Sequence, residues 1–164
     1  MTIDQLAMDL GQRLSLLSAQ VVTAESCTGG GIAEAITRVA GSSAWFEAGF
    51  ITYSNAQKTA QLDVPSSLFE QVGAVSREVV EAMVRGAQAR TGARFGVAVS
   101  GIAGPGGGSP EKPVGTVWLA WANGYDIHSE KCFFAGDRAA VRTQAIVAAL
   151  EGLLRISTQE NRIE

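Results

Sequence analysis

The side chains most able to do chemistry in this 164-residue chain stand together at Ser26-Cys27-Thr28. They follow an apolar strand pattern over 21–25 and precede three glycines, Gly29 to Gly31, that open a helical pattern. Glycine amides approach a ligand with no Cβ in the way, and a helix start carries about half a positive charge. The segment predicts a site for an anion or an oxyanion beside a nucleophile, or a helix capped by Ser26 or Thr28.

A nucleophilic serine needs a base, and the single histidine of this chain, His128, has no motif around it. A Ser-His-Asp triad is therefore not predicted, and His128 is interpreted as a strand residue without catalytic function. Lys58 could be the base if burial lowered its pKa, with Tyr53 relaying a proton or orienting the lysine. The alternative is a solvated loop lysine and a tyrosine packed at a strand end.

A second glycine-rich segment, Ser100 to Pro110, leaves the end of a predicted buried strand and includes Gly101 and Gly104. Open α/β sheets bind ligands at that edge, and successive glycine amides can form a nest for an anion. No Gly-Lys-Ser/Thr sequence closes the segment, so it is not a P-loop. A flexible connection is the alternative interpretation.

Two arginines, Arg138 and Arg142, stand one turn apart at the start of the last predicted helix, which Asp137 should cap. The helix dipole disfavours each cation there by roughly 0.3–1 kcal/mol. A bound phosphate would relieve this repulsion, because guanidinium groups and free amides can hold it together. The alternative is a pair of exposed arginines whose stems cover apolar surface.

The elements that must position these residues follow from hydrophobic periodicity and turn signals. The predicted helices cover 3–18, about 30–40, 66–71, 77–90 with Ser76 as N-cap, and a last segment from Asp137; the predicted strands cover 21–25, 45–53, 95–100 and a hairpin of 114–122 and 125–134 turning at Asn123-Gly124. This order predicts one α/β domain over 1–164, a three-layer α/β/α sandwich with a mixed sheet, and a frayed tail at 157–164. The first strand is not followed by G-x-G-x-x-G, so a doubly wound dinucleotide fold is not predicted.

Composition favours a small-molecule ligand. The net charge of −3 argues against a surface for nucleic acid. No signal-peptide pattern opens the chain and no run approaches the ~20 apolar residues of a membrane span, so no membrane partner and a cytoplasmic location are expected. Cys27 and Cys132 lack the spacing of a zinc or redox site, so reduced thiols and no metal are expected.

Seven motifs in this order resemble those of the CinA C-terminal domain family, over nearly the whole chain. They are Thr23–Gly30, Gly41–Phe46, Gly49–Asn55, Gly73–Ser76, Val99–Pro105, Lys112–Val117 and Phe134–Arg138. The resemblance implies hydrolysis of the carboxamide of nicotinamide mononucleotide to nicotinic acid mononucleotide and ammonia, in pyridine nucleotide recycling. It also implies that no metal or other cofactor takes part, and that the protein is a homodimer.

The resemblance assigns the catalytic roles to Ser26, Tyr53 and Lys58, and substrate contacts to Ser100 and one of the two arginines. Ser100 replaces the threonine of some relatives and keeps a hydroxyl. Chemical reasoning agrees, since Ser26 deprotonated by Lys58, directly or through Tyr53, would attack the amide carbon. The remaining expected contacts are an oxyanion site at the helix start and a phosphate site, formed by Thr28, Gly29, Gly30, Gly101, Gly104, Arg138 and Arg142.

Two other functions stay open on the sequence alone. The same glycine loops would serve a non-catalytic module that binds and senses pyridine nucleotides. They would also serve a different small-molecule amidase or a phosphate-ester hydrolase on the same scaffold.

Overall fold

The computed structural model of the chain describes residues 1–159. Its helices are α1 (Ile3–Leu16), α2 (Gly31–Thr37), α3 (Asn55–Leu62), α4 (Ser67–Gln71), α5 (Arg77–Thr91) and α6 (Arg138–Gln159), with a short 3₁₀ turn at Ser42–Ala44. Its strands are β1 (Val21–Glu25), β2 (Phe46–Ile51), β3 (Phe95–Gly101), β4 (Thr116–Asn123) and β5 (Asp126–Phe133).

The five strands form one mixed sheet in the order β2-β1-β3-β4-β5. β1 lies parallel to both β2 and β3, whereas β4 is antiparallel to β3 and to β5. The carboxyl ends of β1, β2 and β3 therefore meet at one edge of the sheet. Ser26, Thr52 and Ile102, the first residues after these strands, lie at that edge.

Two apolar clusters lie on opposite faces of the sheet. One contains residues of α1, α2 and α6, and the other contains residues of α3 and α5 with α4 packed against it. Because successive strand residues point to opposite faces, Val21 belongs to the first cluster and Val22 to the second. The three-layer α/β/α sandwich with a mixed sheet is confirmed.

The helix α3 replaces the polar loop that the sequence predicts around Lys58. Ser54 caps it, accepting a hydrogen bond from the amide of Gln57 at 3.1 Å. Its buried residues are Lys58 and Leu62, one turn apart. A lysine at one of only two buried positions conceals the apolar spacing by which a helix is recognised.

Other boundaries move by a few residues. The predicted helix over 30–40 ends at Thr37, and the hairpin turns at Gly124-Tyr125, one residue later than expected. The last helix continues through the expected fray to Gln159, because Ser157 is buried and accepts a hydrogen bond from Arg13 of α1 at its carbonyl. The rest of the expected fray, 160–164, lies outside the described residues. Caps at Ser76 and Asp137 form as predicted.

No helix in the described part of the chain has the length and apolar character needed to cross a membrane. Over the same residues, no three His, Cys, Asp or Glu side chains converge in the way that a metal ion requires.

Candidate active site

The structure brings Ser26 and Lys58 together although 32 positions separate them in sequence. Ser26 is the first residue after β1, where its amide donates to the carbonyl of Val99 at 3.1 Å. Lys58 reaches it from the first turn of α3, with 3.0 Å between Lys58 Nζ and Ser26 Oγ. The distance suits direct proton transfer between the hydroxyl and the amine.

Burial prepares Lys58 for that role. The side chain is only 1% exposed, and burial lowers its pKa from 10.5 to about 8, with a small opposing effect of the neighbouring Cys27. Among residues 1–159 no carboxylate forms a salt bridge with its amine. A substantial fraction of Lys58 is therefore neutral near physiological pH, which is the form that can accept the proton of Ser26.

Tyr53 contributes two different atoms. Its carbonyl oxygen accepts hydrogen bonds from Lys58 Nζ at 2.9 Å and from Ser26 Oγ at 3.3 Å. Its hydroxyl is instead 3.1 Å from a guanidinium nitrogen of Arg138, and the side chain is 60% exposed. The geometry favours orientation of Lys58 by the backbone of Tyr53 over relay of a proton through its hydroxyl.

The two arginines of α6 lie on one helix face but reach different places. Arg138 is exposed and donates to the carbonyl of Gly104 at 2.9 Å and to the hydroxyl of Tyr53. Arg142 is half-buried and donates to the carbonyl of Thr28 at 3.3 Å, and its Nε is buried with no partner in the described chain. Arg138 is exposed to solvent, whereas Arg142 supports the serine turn.

The turn after Ser26 is held by hydrogen bonds within its own backbone. The amide of Gly29 donates to the carbonyl of Ser26, and that of Gly31 to the carbonyl of Thr28. Gly29 and Gly30 have φ of +57° and +97°, where glycine is favoured because it lacks a Cβ. Neither Ser26 nor Thr28 caps α2, because the N-cap position is occupied by Gly30, which has no side chain to accept from the helix amides.

The first amides of α2 are not available to an oxyanion, contrary to the expectation from the sequence. The buried carboxylate of Glu25 accepts hydrogen bonds from Ile32 N at 2.8 Å, Ala33 N at 3.1 Å and the Thr28 hydroxyl at 2.6 Å. Within residues 1–159, the amide of Gly30 has no acceptor, and Gly30 is only partly buried. This amide is left for a ligand, whereas Thr28 is fully buried.

The second glycine-rich segment borders the same edge of the sheet. Ser100 is buried in β3 on the face that it shares with Ala98, the face against which α3 and α5 pack. A Cβ on Gly101 would come within 2.7 Å of Val117, and one on Gly104, at φ +85°, within 2.5 Å of Val114. Packing explains both glycines, and Gly104 also presents its carbonyl to Arg138.

Comparison with known proteins identifies the family. A family model described as the CinA C-terminal domain matches residues 3–157. The chain belongs to this family. It is 71% identical to the nicotinamide-nucleotide amidohydrolase PncC of Pseudomonas putida, over 96% of this chain and 98% of that protein. It is 53% identical to the PncC of Escherichia coli strain K12, over 91% of each.

Solved structures agree with this assignment. The competence/damage inducible protein CihA from Agrobacterium tumefaciens superposes with a TM-score of 0.91 at 44% identity, over 93% of this chain and 94% of that one. The fold of this CinA C-terminal domain is therefore shared along nearly its whole length.

His128 lies away from the serine of this CinA domain. It stands on β5, three strands from β1 and therefore roughly 14 Å across the sheet at the usual strand spacing. It is exposed, and its ring contacts Glu130 at 3.0 Å. The geometry agrees with the prediction that this histidine is not the base.

Glu25 is a buried carboxylate of this CinA domain that the sequence-based interpretation missed. It stands inside the motif Thr23–Gly30, but no role is assigned to it from the sequence. The available signal is an acidic residue at the end of a buried strand, since a buried carboxylate requires nearby donors.

Cys27→Ala should retain substantial activity in this CinA domain. Burial raises the pKa of the Cys27 thiol to about 11, so the thiolate that could act as a nucleophile is scarce at neutral pH. We expect kcat for ammonia release within about threefold of wild type, because alanine removes little buried volume. Complete loss of turnover in a folded variant that still binds substrate would instead assign the nucleophile to sulfur.

Proposed function

We propose that this protein hydrolyses the carboxamide of nicotinamide mononucleotide to nicotinic acid mononucleotide and ammonia. The observation that carries the proposal is the 3.0 Å approach of a buried lysine amine to the hydroxyl of Ser26. The names of the relatives from P. putida and E. coli supply the substrate class. Neither the geometry nor the names require a metal ion in this reaction.

The reaction begins when the Ser26 hydroxyl turns its proton from the carbonyl of Tyr53 toward neutral Lys58, whose amine takes it. The Ser26 oxygen forms a bond to the amide carbon, and the negative charge on the carbonyl oxygen is held by the amide of Gly30. A preorganised oxyanion donor is worth about 2.7–4 kcal/mol in the transition state. The Lys58 ammonium then protonates the departing nitrogen, the C–N bond breaks, and ammonia leaves an ester on Ser26.

Hydrolysis of this ester uses the same groups in reverse order. Lys58, again neutral, takes a proton from water, and the resulting hydroxide attacks the ester carbon. The bond between Ser26 and the acyl group breaks, and the proton returns to the serine. The released nicotinic acid mononucleotide loses its carboxyl proton to the solvent and becomes the carboxylate, and the enzyme is restored.

Arg138 is the residue we assign to the 5′-phosphate. It is exposed and bonded to the hydroxyl of Tyr53, the residue whose carbonyl contacts Ser26. Its two hydrogen bonds within the chain leave three of the five guanidinium donors for a ligand. Phosphate binding far from the amide supplies binding energy that a free nicotinamide lacks. The nucleotide is therefore the expected substrate.

Replacing Arg138 by alanine should weaken kcat/KM for nicotinamide mononucleotide by roughly ten- to a hundredfold, because a charge-assisted contact worth about 1.5–3 kcal/mol is lost. Activity on nicotinamide riboside, which has no phosphate, should be low and almost unchanged. Steady-state ammonia release on both substrates measures the difference.

Arg142→Ala should instead reduce both activities together, since Arg142 supports the serine turn. Equal losses on both substrates in the Arg138 variant would refute the phosphate contact.

The direct test compares ammonia release from nicotinamide mononucleotide, nicotinamide riboside and nicotinamide, each with and without a chelator. We expect turnover of the mononucleotide that a chelator does not reduce. Tight binding of the mononucleotide without ammonia release would favour the pyridine-nucleotide sensor over the enzyme. A cytoplasmic location, a homodimer and a role in pyridine nucleotide recycling remain predictions of this proposal.

A further inference from the structure

The carboxylate of Glu25 is a charged group in the interior with three donors and no cationic partner among the described residues. Its side chain is fully buried at the end of β1. One oxygen accepts from the Thr28 hydroxyl at 2.6 Å and from Ile32 N at 2.8 Å, and the other accepts from Ala33 N at 3.1 Å. Short bonds of this kind to a carboxylate are about twice as strong as those between neutral groups.

The backbone around Glu25 is held as firmly as its side chain. Its carbonyl accepts from the amide of Thr52 at 2.9 Å, and the next amide, that of Ser26, donates to Val99 in β3. Successive side chains of an extended segment point to opposite faces. Glu25 accordingly reaches the layer of α2, while Ser26 reaches Lys58 in the layer of α3.

Thr28 connects this carboxylate to the rest of the turn. Its hydroxyl donates to Glu25, and its carbonyl accepts from Arg142 of α6. The residue is fully buried, so its side chain cannot serve as the substrate contact that the sequence suggested without breaking the bond to Glu25. The turn from Ser26 to Gly31 is thus fixed between β1, α2 and α6.

We propose that Glu25 is a positioning residue. It locks the turn 26–31 and thereby keeps Ser26 Oγ in reach of Lys58 and the free amide of Gly30 beside Ser26. The inference rests on the proposed function, because it concerns the position of the proposed nucleophile. The N-terminal amides of α2, where the helix dipole is positive, are bound by the carboxylate of Glu25. The phosphate of the substrate must therefore bind elsewhere, on the side of Arg138.

Glu25→Gln is the most informative variant, because it preserves the shape of the side chain and replaces one acceptor oxygen by an amide group that donates. Ile32 N and Ala33 N can only donate, and they bind different oxygens of Glu25. In either orientation, the glutamine amide group would point its own N–H groups at one of them. The turn must shift, and a displacement of about 1 Å at a nucleophile can reduce a rate by on the order of a hundredfold.

The expected result for Glu25→Gln is a kcat reduced roughly ten- to a hundredfold with KM changed less than about threefold, since the turn and not the phosphate contact is displaced. Thr28→Val, which removes only the hydroxyl, should lower kcat in the same direction, and Thr28→Ser should recover most of that loss. Glu34→Gln is the matched control, an exposed glutamate of α2 whose carboxylate pairs with Arg38. Its kcat should equal that of wild type.

A second measurement separates this inference from the proposed substrate. A fluorophosphonate probe modifies an activated serine, and intact mass reports the rate at Ser26 without any nucleotide. Slower labelling of Glu25→Gln and Thr28→Val than of Glu34→Gln supports the positioning role, even if nicotinamide mononucleotide proves not to be hydrolysed. Equal labelling rates in folded proteins, or a rise in KM at unchanged kcat, would overturn it.

Discussion

Replacing Ser26 by alanine should abolish ammonia release from nicotinamide mononucleotide, with kcat reduced on the order of 10³-fold or more. The loss follows from the geometry, because the Ser26 oxygen is the hydroxyl that Lys58 Nζ approaches at 3.0 Å. Binding should persist within a few-fold, since the phosphate contact assigned to Arg138 is untouched. Isothermal titration with the mononucleotide and a coupled ammonia assay measure both quantities.

The control for this variant is a change at the other candidate nucleophile. Cys27 adjoins Ser26 and is equally enclosed, so Cys27→Ala reports what a small loss of volume at this turn does by itself. Turnover of the serine variant close to wild type would contradict the mechanism. An acyl-enzyme mass shift on wild type and its absence in Ser26→Ala would support it.

Replacing Lys58 by arginine should lower kcat by roughly 10²- to 10⁴-fold, the range that a general base contributes. Arginine keeps the positive charge but stays protonated at any working pH, so it cannot accept the proton of Ser26. His128→Ala should leave kcat unchanged, because that side chain is exposed on β5. An active lysine variant together with an inactive histidine variant would refute the assignment of the base.

The pH dependence gives an independent check on Lys58. Because the neutral amine is the active form and its pKa is about 8, kcat/KM should rise with pH and level off above that value. The rise should be close to tenfold for each pH unit well below 8. A profile that falls between pH 6 and 8 would show that the protonated amine is the form that catalysis requires.

The sandwich could be predicted from the sequence because most of its elements carry undisturbed apolar periods. β1 and β3 are mostly apolar segments, and the hairpin of β4 and β5 is marked by Asn123-Gly124. The helix α3 could not be predicted in the same way. Its buried positions are a lysine and a leucine, so the residue proposed for catalysis occupies the place where an apolar side chain would have indicated the helix.

The candidate site could likewise be predicted only in part. The pairing of Ser26 with Lys58 was predicted as one of two alternatives, because the types of the residues suggested it while their spacing did not. The role of Glu25 was not predicted, since two of its three donors, the amides of Ile32 and Ala33, are backbone atoms. Residue types do not reveal which backbone atoms a fold brings together. For the same reason, the first amides of α2 were wrongly assigned to the oxyanion.

The carbonyl of Tyr53 has a consequence for how the site is studied. It is a main-chain oxygen, and it is the atom of this residue that contacts both Lys58 and Ser26. Every amino acid supplies the same oxygen at that position. A mutational scan of side chains therefore reports only the contact of the hydroxyl with Arg138, and underestimates what residue 53 does for the proton transfer.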